Sequence, residues 1–425
     1  MIPFVQPLLQ VVDPQLPPPS GLVYFVATVI KLLVVFTVYM VGVAFLTLAE
    51  RKISAWIQDR HGPNRVGTWG LLQPAADGLK NIMKEETYPD EANMPLFILA
   101  PAIAFIPALL TWCVIPFGSP LPTRWGLIDL VVAPLPIGYL FILAIASLGV
   151  YGVVIAGWSS NNKYALLGGL RSSAQMVSYE ITLGMATIPV LLLAGNVALN
   201  DIVAQQAHGL WNVLTLSVAF LVFLIAAFAE TNRLPFDLPE AESELIAGYH
   251  SEYSAMKFSM FFIAEYASML TMSALMVTLF FGGWDIPGSW DTAPWSAWKS
   301  LATLAFFAFK TGFFVFFYMW IRWTLPRFRY DQLMGLGWKV MLPTALGYIV
   351  VVAAAVLGLD AAGLARGSWA FGLSLLALNV VLVGLLLFVI DRGRLISPAS
   401  SRLDKRNMDK LQARAGSHMI VEGRN

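Results

Sequence analysis

Residues 230–253 read ETNRLPFDLPEAESELIAGYHSEY and lie between two apolar segments, 212–229 and 255–281. Each apolar segment is about long enough to cross the hydrocarbon core of a bilayer as a helix, which takes ~20 residues. The stretch between them holds six carboxylates and almost no basic residues. Pro235 and Pro239 break any helix at its start. The sequence therefore predicts a compact acidic connection between two membrane spans.

Three glutamates of this connection, Glu240, Glu242 and Glu244, alternate with small residues. In a strand all three share one face, whereas in a helix Glu240 and Glu244 share a face and Glu242 points away. Carboxylates this close do not all ionise cheaply outside bulk water, so some of their pKa values must rise. The pattern favours a proton-holding site, and the alternative is an exposed acidic turn.

The composition is that of a membrane protein. Of 425 residues, 58% are hydrophobic and 12% are charged, whereas soluble domains average about 25% charged residues. No basic stripe with interleaved aromatics points to nucleic acid. Cys113 is the only cysteine, which excludes disulfides within the chain, thiolate zinc sites and iron–sulfur ligation by this chain alone. Residues 1–21 lack the basic region of a cleaved signal peptide.

Nine apolar segments predict an all-α integral membrane protein of about nine transmembrane helices. They cover residues 22–48, 95–116, 132–157, 172–194, 212–229, 255–281, 301–322, 340–358 and 369–390.

The first long loop, residues 49–94, contains an amphipathic pattern. Residues 73–86 place apolar side chains at helical spacing on one face and polar ones opposite, which predicts a helix lying flat at the membrane surface. The preceding stretch, 51–67, is rich in turn residues and arginines.

Basic residues set the predicted orientation. With the amino terminus outside, five segments face the cytoplasm and hold 19 Lys and Arg, against three on the other side. These segments are 49–94, 158–170, 231–254, 323–339 and the tail 391–425. The positive-inside rule then places the amino terminus outside and the carboxyl terminus in the cytoplasm.

Ionisable residues within membrane spans mark function by default. The candidates inside predicted spans or at their ends are Lys31, Arg171, Glu180, Glu230, Lys257, Glu265 and Lys310. Glu180 lies about half-way along its span, and several such carboxylates in series would form a proton relay. For Glu265 the alternative is a structural ion pair with Lys257 or Lys310.

The four histidines lie in loops or in the tail. Histidine pairs that hold a transmembrane haem would have to lie within spans, and no phosphate-binding Gly-Lys-Ser/Thr loop occurs. We therefore expect a chain that handles protons but binds no metal, flavin or haem itself.

Several motifs resemble those of the H subunit of bacterial NADH:quinone oxidoreductase, respiratory complex I. They are Glu50-Arg51-Lys52, Asp59–Gly67, Gly70–Asp77, Glu230–Asp237, Glu240–Leu245, Ala264-Glu265-Tyr266 and Pro326–Met334. The resemblance covers residues 22–358 and implies an eight-span core. Residues 1–21 are then a periplasmic segment, 359–390 add a span outside that core, and 391–425 form a cytoplasmic tail. Membrane subunits of membrane-bound hydrogenases share parts of the pattern and are the nearest alternative.

The resemblance also implies site residues. A quinone chamber, formed with the peripheral arm, would be lined by Arg51, Arg60, Asp77, Arg171, Arg233 and Asp237. A proton path into the membrane would use Glu180, Glu230, Glu240, Glu242, Glu244 and Glu265. Arg327, Arg329 and Asp331 would dock a soluble partner or simply follow the positive-inside rule.

The implied partners are the other subunits of complex I, which would carry the FMN and the iron–sulfur clusters, in a bacterial inner membrane. The implied substrate is a quinone, either ubiquinone or menaquinone. Two further interpretations start from the residues alone. A proton-coupled secondary transporter would show paired broken spans, and these are not found. A purely structural anchor would gain nothing from Glu180 and Glu265.

Overall fold

The computed structural model describes residues 21–207, 209–238, 248–288, 295–364, 366 and 368–391. The chain comprises two units, Met1–Leu375 and Leu376–Asn425. The described part of the second unit is the last portion of one helix.

The described residues of the first half contain five α-helices and one hairpin, besides two short 3₁₀ turns. In order they are α1 (Gly21–Ile57), α2 (Gln73–Met83), α3 (Met94–Leu110), β1 (Gly118–Thr123), β2 (Gly126–Leu130), α4 (Gly138–Ser159) and α5 (Lys163–Ala194). Helix α5 begins where the Asn162 side chain accepts a hydrogen bond from the Tyr164 amide, and it ends at Gly195, whose φ of 66° suits glycine.

The described part of the second half contains helices and connecting loops but no strand. Its elements are α6 (Leu199–Ala207), α7 (Asn212–Thr215), α8 (Ser217–Glu230), α9 (Ala255–Phe280), α10 (Ala297–Thr324), α11 (Tyr330–Leu336), a π-helical turn (Gly337–Met341), α12 (Leu342–Ala361) and α13 (Trp369–Asp391). The π turn joins α11 to α12 without a break.

The predicted fold class is confirmed. Among the described residues, seven helical stretches are long and apolar enough to cross a membrane, and two shorter apolar helices cover 217–230 and 369–385. Each of the nine predicted segments falls on one of these helices. The predicted surface helix is present as α2, which ends three residues earlier than expected.

Several boundaries differ from the prediction; helix α5, for example, begins nine residues before the predicted start at 172. Helix α1 continues nine residues past the predicted end at 48, because the buried Glu50 and Ser54 pair with protein side chains instead of water. The predicted span 212–229 is broken at Leu216, whose backbone leaves the helical region. Helix α4 starts six residues late, after Pro134 and Pro136, which do not fit within a helix.

That hairpin, β1 and β2, was not predicted. Pro120 and Pro122 lie within β1 and weaken the strand signal, but a two-stranded sheet has only edge strands, where proline is tolerated. The hairpin connects two distant helices. The Ser119 amide donates to Thr303 of α10 at 3.1 Å. Lys31 of α1 donates to the Asp129 carbonyl of β2 at 3.2 Å and to the adjacent Val131 carbonyl at 2.7 Å.

Candidate functional site

A large cavity lies where α1 and α10 end, where α9 begins and where the chain leaves α8. Its volume is about 760 Å³. Its lining includes five arginines and three carboxylates: Arg51, Arg60, Arg233, Arg322, Arg327, Glu50, Asp237 and Glu265. We call this cavity the charged chamber and its side of the bundle the chamber end. The opposite side, where α9 ends and α10 begins, is the far end.

Arg233 is the central cation of the charged chamber. Its Nε lies 2.7 Å from Glu265 Oε1, and its Nη1 lies 3.4 Å from Glu50 Oε2. The guanidinium also lies 4.3 Å from the centre of the Tyr266 ring. Burial alone would lower the pKa of Arg233, but the two facing carboxylates more than reverse this and raise it. Arg233 is therefore a permanent positive charge, fixed between two carboxylates.

Glu50 joins two arginines from different parts of the chain. It pairs with Arg233, which follows α8, and with Arg322 near the end of α10. One helical turn further along α1, Ser54 accepts a hydrogen bond of 2.8 Å from the Trp323 indole. The end of α1 is thus fastened to the end of α10 by two adjacent contacts.

Asp237 closes another side of the charged chamber. Its Oδ2 lies 3.0 Å from Arg327 Nη2. Burial raises the pKa of Asp237, and the neighbouring Arg327 offsets only part of that rise. The Phe328 amide donates to the Pro235 carbonyl at 3.1 Å. These contacts fasten the segment after α8 to the segment after α10.

The rim of the charged chamber is formed by α1 and the surface helix α2. Arg51 Nη1 lies 2.6 Å from Asp77 Oδ2, and Gln73 donates to the other carboxylate oxygen at 3.0 Å. Partial burial would raise the pKa of Asp77, but these donors outweigh it and hold the pKa below its usual range. The pair therefore stays ionised at neutral pH.

A second, smaller cavity of about 80 Å³ lies deeper in the bundle, between α3, α4, α5 and α9. Glu230 and Glu265 line it, and we call it the inner cavity. Glu230 is buried, and its Oε2 has no hydrogen-bond partner among the described residues. Asn232 and Glu265 line both cavities. These two side chains therefore form a common wall.

Comparison with known proteins places the chain in a family. The model of the NADH dehydrogenase family matches residues 30–353. A relative from Leptospira biflexa, named as the H subunit of NADH-quinone oxidoreductase, is 51% identical over 334 residues, which is 76% of this chain and 93% of the relative. The chain belongs to the NADH dehydrogenase family. The family membership predicted from the sequence motifs is confirmed.

Further relatives of this NADH dehydrogenase family chain come from distant organisms. A protein from Geobacter metallireducens, also named as an H subunit of NADH-quinone oxidoreductase, is 50% identical over 76% of this chain and 94% of its own length. A protein from Chondrus crispus, named NADH-ubiquinone oxidoreductase chain 1, is 48% identical over 79% of this chain and 99% of its own length. The family model ends at residue 353, so α13 lies beyond the matched region.

Four of the six predicted chamber residues line the charged chamber: Arg51, Arg60, Arg233 and Asp237. Asp77 is one step removed, since it holds Arg51 at the rim. Arg171 does not line the chamber; it lies on an exposed face of α5. The arginine-rich lining is instead completed by Arg322 and Arg327.

The predicted proton-path residues fall into three groups. Glu230 and Glu265 line the inner cavity, and Glu180 is half-buried on α5, outside the lining of both cavities. Glu240, Glu242 and Glu244 lie outside the described residues. The alternative ion pair of Glu265 with Lys257 or Lys310 is wrong, because Glu265 contacts Arg233 instead. Lys257 contacts Glu86, and Lys310 donates to backbone carbonyls.

The three predicted docking residues do not lie together in the structure. Arg327 faces the charged chamber. Arg329 and Asp331 are exposed and pair with each other at 3.1 Å. A surface role therefore stays a prediction for Arg329 and Asp331, while Arg327 has a defined place inside.

Sequence reasoning missed Glu50, Arg322 and His250 as lining residues. Glu50 and Arg322 carry a signal that was available, because both lie within one or two turns of an apolar helix end. His250 lies in the charged chamber with its ring against Phe258 and Phe262. Burial lowers the pKa of His250 to about 4, so the imidazole is neutral at pH 7. Among the described residues, no group of three or more His, Cys, Asp and Glu is placed to hold a metal ion.

Proposed function

We propose that this chain is the membrane subunit of an NADH:quinone oxidoreductase that forms the quinone chamber with the peripheral arm and couples quinone reduction to proton translocation. Relatives about 50% identical are named as subunits of that enzyme. The partners are then the other subunits of complex I, a quinone and the lipid bilayer. The single observation that carries the mechanism is the wall that Asn232 and Glu265 share between the two cavities.

The charged chamber has the properties that a quinone headgroup needs. Its volume of about 760 Å³ falls within the range of small-molecule sites. Two-electron reduction of a quinone leaves negative charge that two protons must neutralise. Buried arginines stabilise such charge strongly, because electrostatic interactions gain strength where water is excluded.

The shared wall supplies a way to transmit that charge. Glu265 contacts Arg233, so any negative charge that draws Arg233 toward the quinone weakens the hold on Glu265. A carboxylate that loses its cation in a buried site binds a proton more readily. Glu265 also faces the inner cavity, where Glu230 lies. We propose that protons move between Glu265, Glu230 and Glu180, with Glu240, Glu242 and Glu244 supplying the connection from the chamber.

The test uses the complete complex in sealed vesicles. For Glu265→Gln, and separately for Glu230→Gln, we expect quinone reduction and proton translocation to fall together by more than about tenfold, a loss of roughly 1.4 kcal/mol or more. Reduction of an artificial acceptor at the peripheral arm should persist. The matched control is Asp360→Asn, a partly exposed carboxylate paired with Arg366. Wild-type rates of quinone reduction and of proton translocation in both glutamine variants would contradict the relay.

The proposed location is a bacterial inner membrane, with the amino terminus outside and the carboxyl terminus in the cytoplasm. The asymmetry of basic residues supports this orientation. Reporter fusions after Gln73 and Asp404 should both report cytoplasm, and a fusion after Asp291 should report the outside. An outside signal from Asp404 would contradict the orientation.

We also propose that the redox groups of the enzyme, FMN and iron–sulfur clusters, lie on partner subunits and that this chain binds none. One cysteine and histidines confined to loops and tail support this. Optical spectra and metal analysis of the purified subunit test it. A stoichiometric haem or flavin band would overturn it.

A further inference from the structure

Lys310 is a buried lysine that the quinone chemistry does not use. It lies half-way along α10 and is 7% exposed. It lines neither the charged chamber nor the inner cavity. A cation at this depth is costly unless it is well paired, and such residues mark function by default.

The Lys310 ammonium is held by backbone carbonyls. Its Nζ donates to the carbonyls of Phe281 at 2.7 Å, Gly283 at 3.0 Å and Asp285 at 2.7 Å. The three carbonyls match the three N–H donors of an ammonium. The ring of Trp211 lies 4.2 Å from Nζ, and that of Phe306 lies 4.5 Å away. Both distances are within the range of cation–π attraction.

The loop that supplies these carbonyls, residues 281–285, is closely fitted to its surroundings. Gly282 and Gly283 both have positive φ, 71° and 56°. A Cβ on Gly283 would lie 2.6 Å from the Val203 side chain. The Asp285 carboxylate accepts a hydrogen bond of 2.8 Å from the Trp211 indole. The loop is therefore preorganised around the ammonium, and only glycine fits at its sharpest point.

The same region closes the end of α9. The Gln206 side chain donates to the Thr278 carbonyl at 3.0 Å, and the Asn212 side chain donates to the Leu279 carbonyl at 2.9 Å. These carbonyls belong to the last turn of α9, which has no partners within the helix. With Lys310 on Phe281, three different elements cap this helix end. Helix α9 carries Glu265 toward its other end.

We propose that Lys310 seals the far end of the bundle against protons by holding the 281–285 loop closed. The closed loop removes the path for water, along which protons would otherwise pass. This inference rests on the proposed function, since a seal matters only where the interior carries protons.

The test is the passive proton leak of vesicles that contain the complete complex, without NADH or quinone. A pH gradient is imposed, and its decay is followed with an entrapped pH dye. For Lys310→Met, which keeps the length of the side chain and removes its charge, we expect the leak through the complex to rise about tenfold. That rise corresponds to about 1.4 kcal/mol in the opening equilibrium. The matched control, Lys299→Met near the start of α10, should leave the leak unchanged.

A second variant keeps the lysine. Trp211→Phe retains a ring beside the ammonium but removes the donor to Asp285, and it should raise the leak severalfold. This variant decides the matter if Lys310→Met does not assemble. A leak equal to wild type in an assembled Lys310→Met complex, or in Trp211→Phe where only that complex assembles, overturns the seal. An equal rise in Lys299→Met also overturns it. Because no quinone is present, these outcomes do not depend on whether the charged chamber binds a quinone.

Discussion

The chamber end and the far end both bury cations, but they pair them differently. At the chamber end, Arg233 and Arg322 contact carboxylates, and a cavity of about 760 Å³ lies beside them. At the far end, Lys310 contacts backbone carbonyls in a closely fitted loop. A carboxylate gains or loses a proton, and thereby changes its charge, whereas a backbone carbonyl does neither. The ion pairs at the chamber end can therefore change their charge during turnover, whereas the contacts of Lys310 with these backbone carbonyls keep the same charge.

The largest effect is expected from breaking the central cation of the chamber end. Arg233→Met would leave Glu50 and Glu265 buried without their shared partner, and removing one member of a buried ion pair costs about 3–5 kcal/mol. We expect little assembled complex and quinone reduction reduced more than about a hundredfold. Native gel electrophoresis of membranes and quinone reductase assays measure both. Arg233→Lys keeps the charge and should recover part of the assembly; a fully assembled, active Met variant would contradict the central role of Arg233.

A far-end change should separate stability from catalysis. Gln206→Met removes the donor to Thr278 and the acceptor for the amides of Asn212 and Gly282, leaving buried polar groups unpaired. The expected loss of stability is about 3 kcal/mol. We expect a lower temperature of thermal inactivation but an unchanged turnover per assembled complex. The neighbouring Gln205→Met is the matched control. A large fall in turnover with normal stability would contradict the assignment of stability to the far end and of catalysis to the chamber end.

The pH dependence of stability provides a third test, through His250. Its pKa is about 4 in the folded protein and 6.5 when exposed, so the folded state binds this proton less readily than the unfolded state. The stability associated with neutral His250 is therefore full above about pH 6.5 and is lost as the pH falls toward 4. At pH 5 the loss is about 2 kcal/mol. Thermal inactivation measured at pH 7 and pH 5 should show a smaller difference in His250→Phe than in wild type; an equal difference would contradict this assignment.

The smallest effect on stability is expected at the rim. Asp77→Asn weakens a partly exposed pair with Arg51, and exposed pairs contribute about 0–1 kcal/mol. We expect normal assembly together with a raised apparent KM for quinone, because Arg51 is no longer held at the chamber. Lys80→Gln, which removes the longer ion pair of Asp77 at 3.7 Å, is the control. An unchanged KM in Asp77→Asn would restrict the chamber to its buried residues.

The positions of the helices were predictable because lipid-facing segments must be apolar over a fixed length. Their ends were less predictable. Glu50-Arg51-Lys52 looks like the start of a loop, yet α1 continues through it because Arg233 and Arg322 neutralise Glu50. The break at Leu216 accompanies a short helix, α7, in which the Asn212 side chain donates to the end of α9. Both depend on partners that are distant in sequence, which hydropathy does not record.

The candidate site shows the same difference between features that the local sequence reveals and partners that it does not reveal. Buried carboxylates such as Glu230 and Glu265 were found because a charge between apolar residues is visible locally. Their partners were not predicted. The sequence suggested Lys257 or Lys310 as the partner of Glu265, but in the fold Glu265 contacts Arg233. Arg171 was carried over from a motif and proved exposed on α5. The chemistry of a single residue is readable from sequence, whereas its counter-charge depends on helix packing.

The ties of α1 to α10 limit how the charged chamber changes size. The β1–β2 hairpin bonds to both helices near their beginnings, through Lys31 and Thr303. Near their ends, Glu50 contacts Arg322, and Ser54 contacts Trp323. Because these contacts hold α1 and α10 together at both ends, the distance between the two helices is fixed when the chain folds. Any widening of the chamber during turnover must then come from its other described walls, formed by residues 232–237 and by α9.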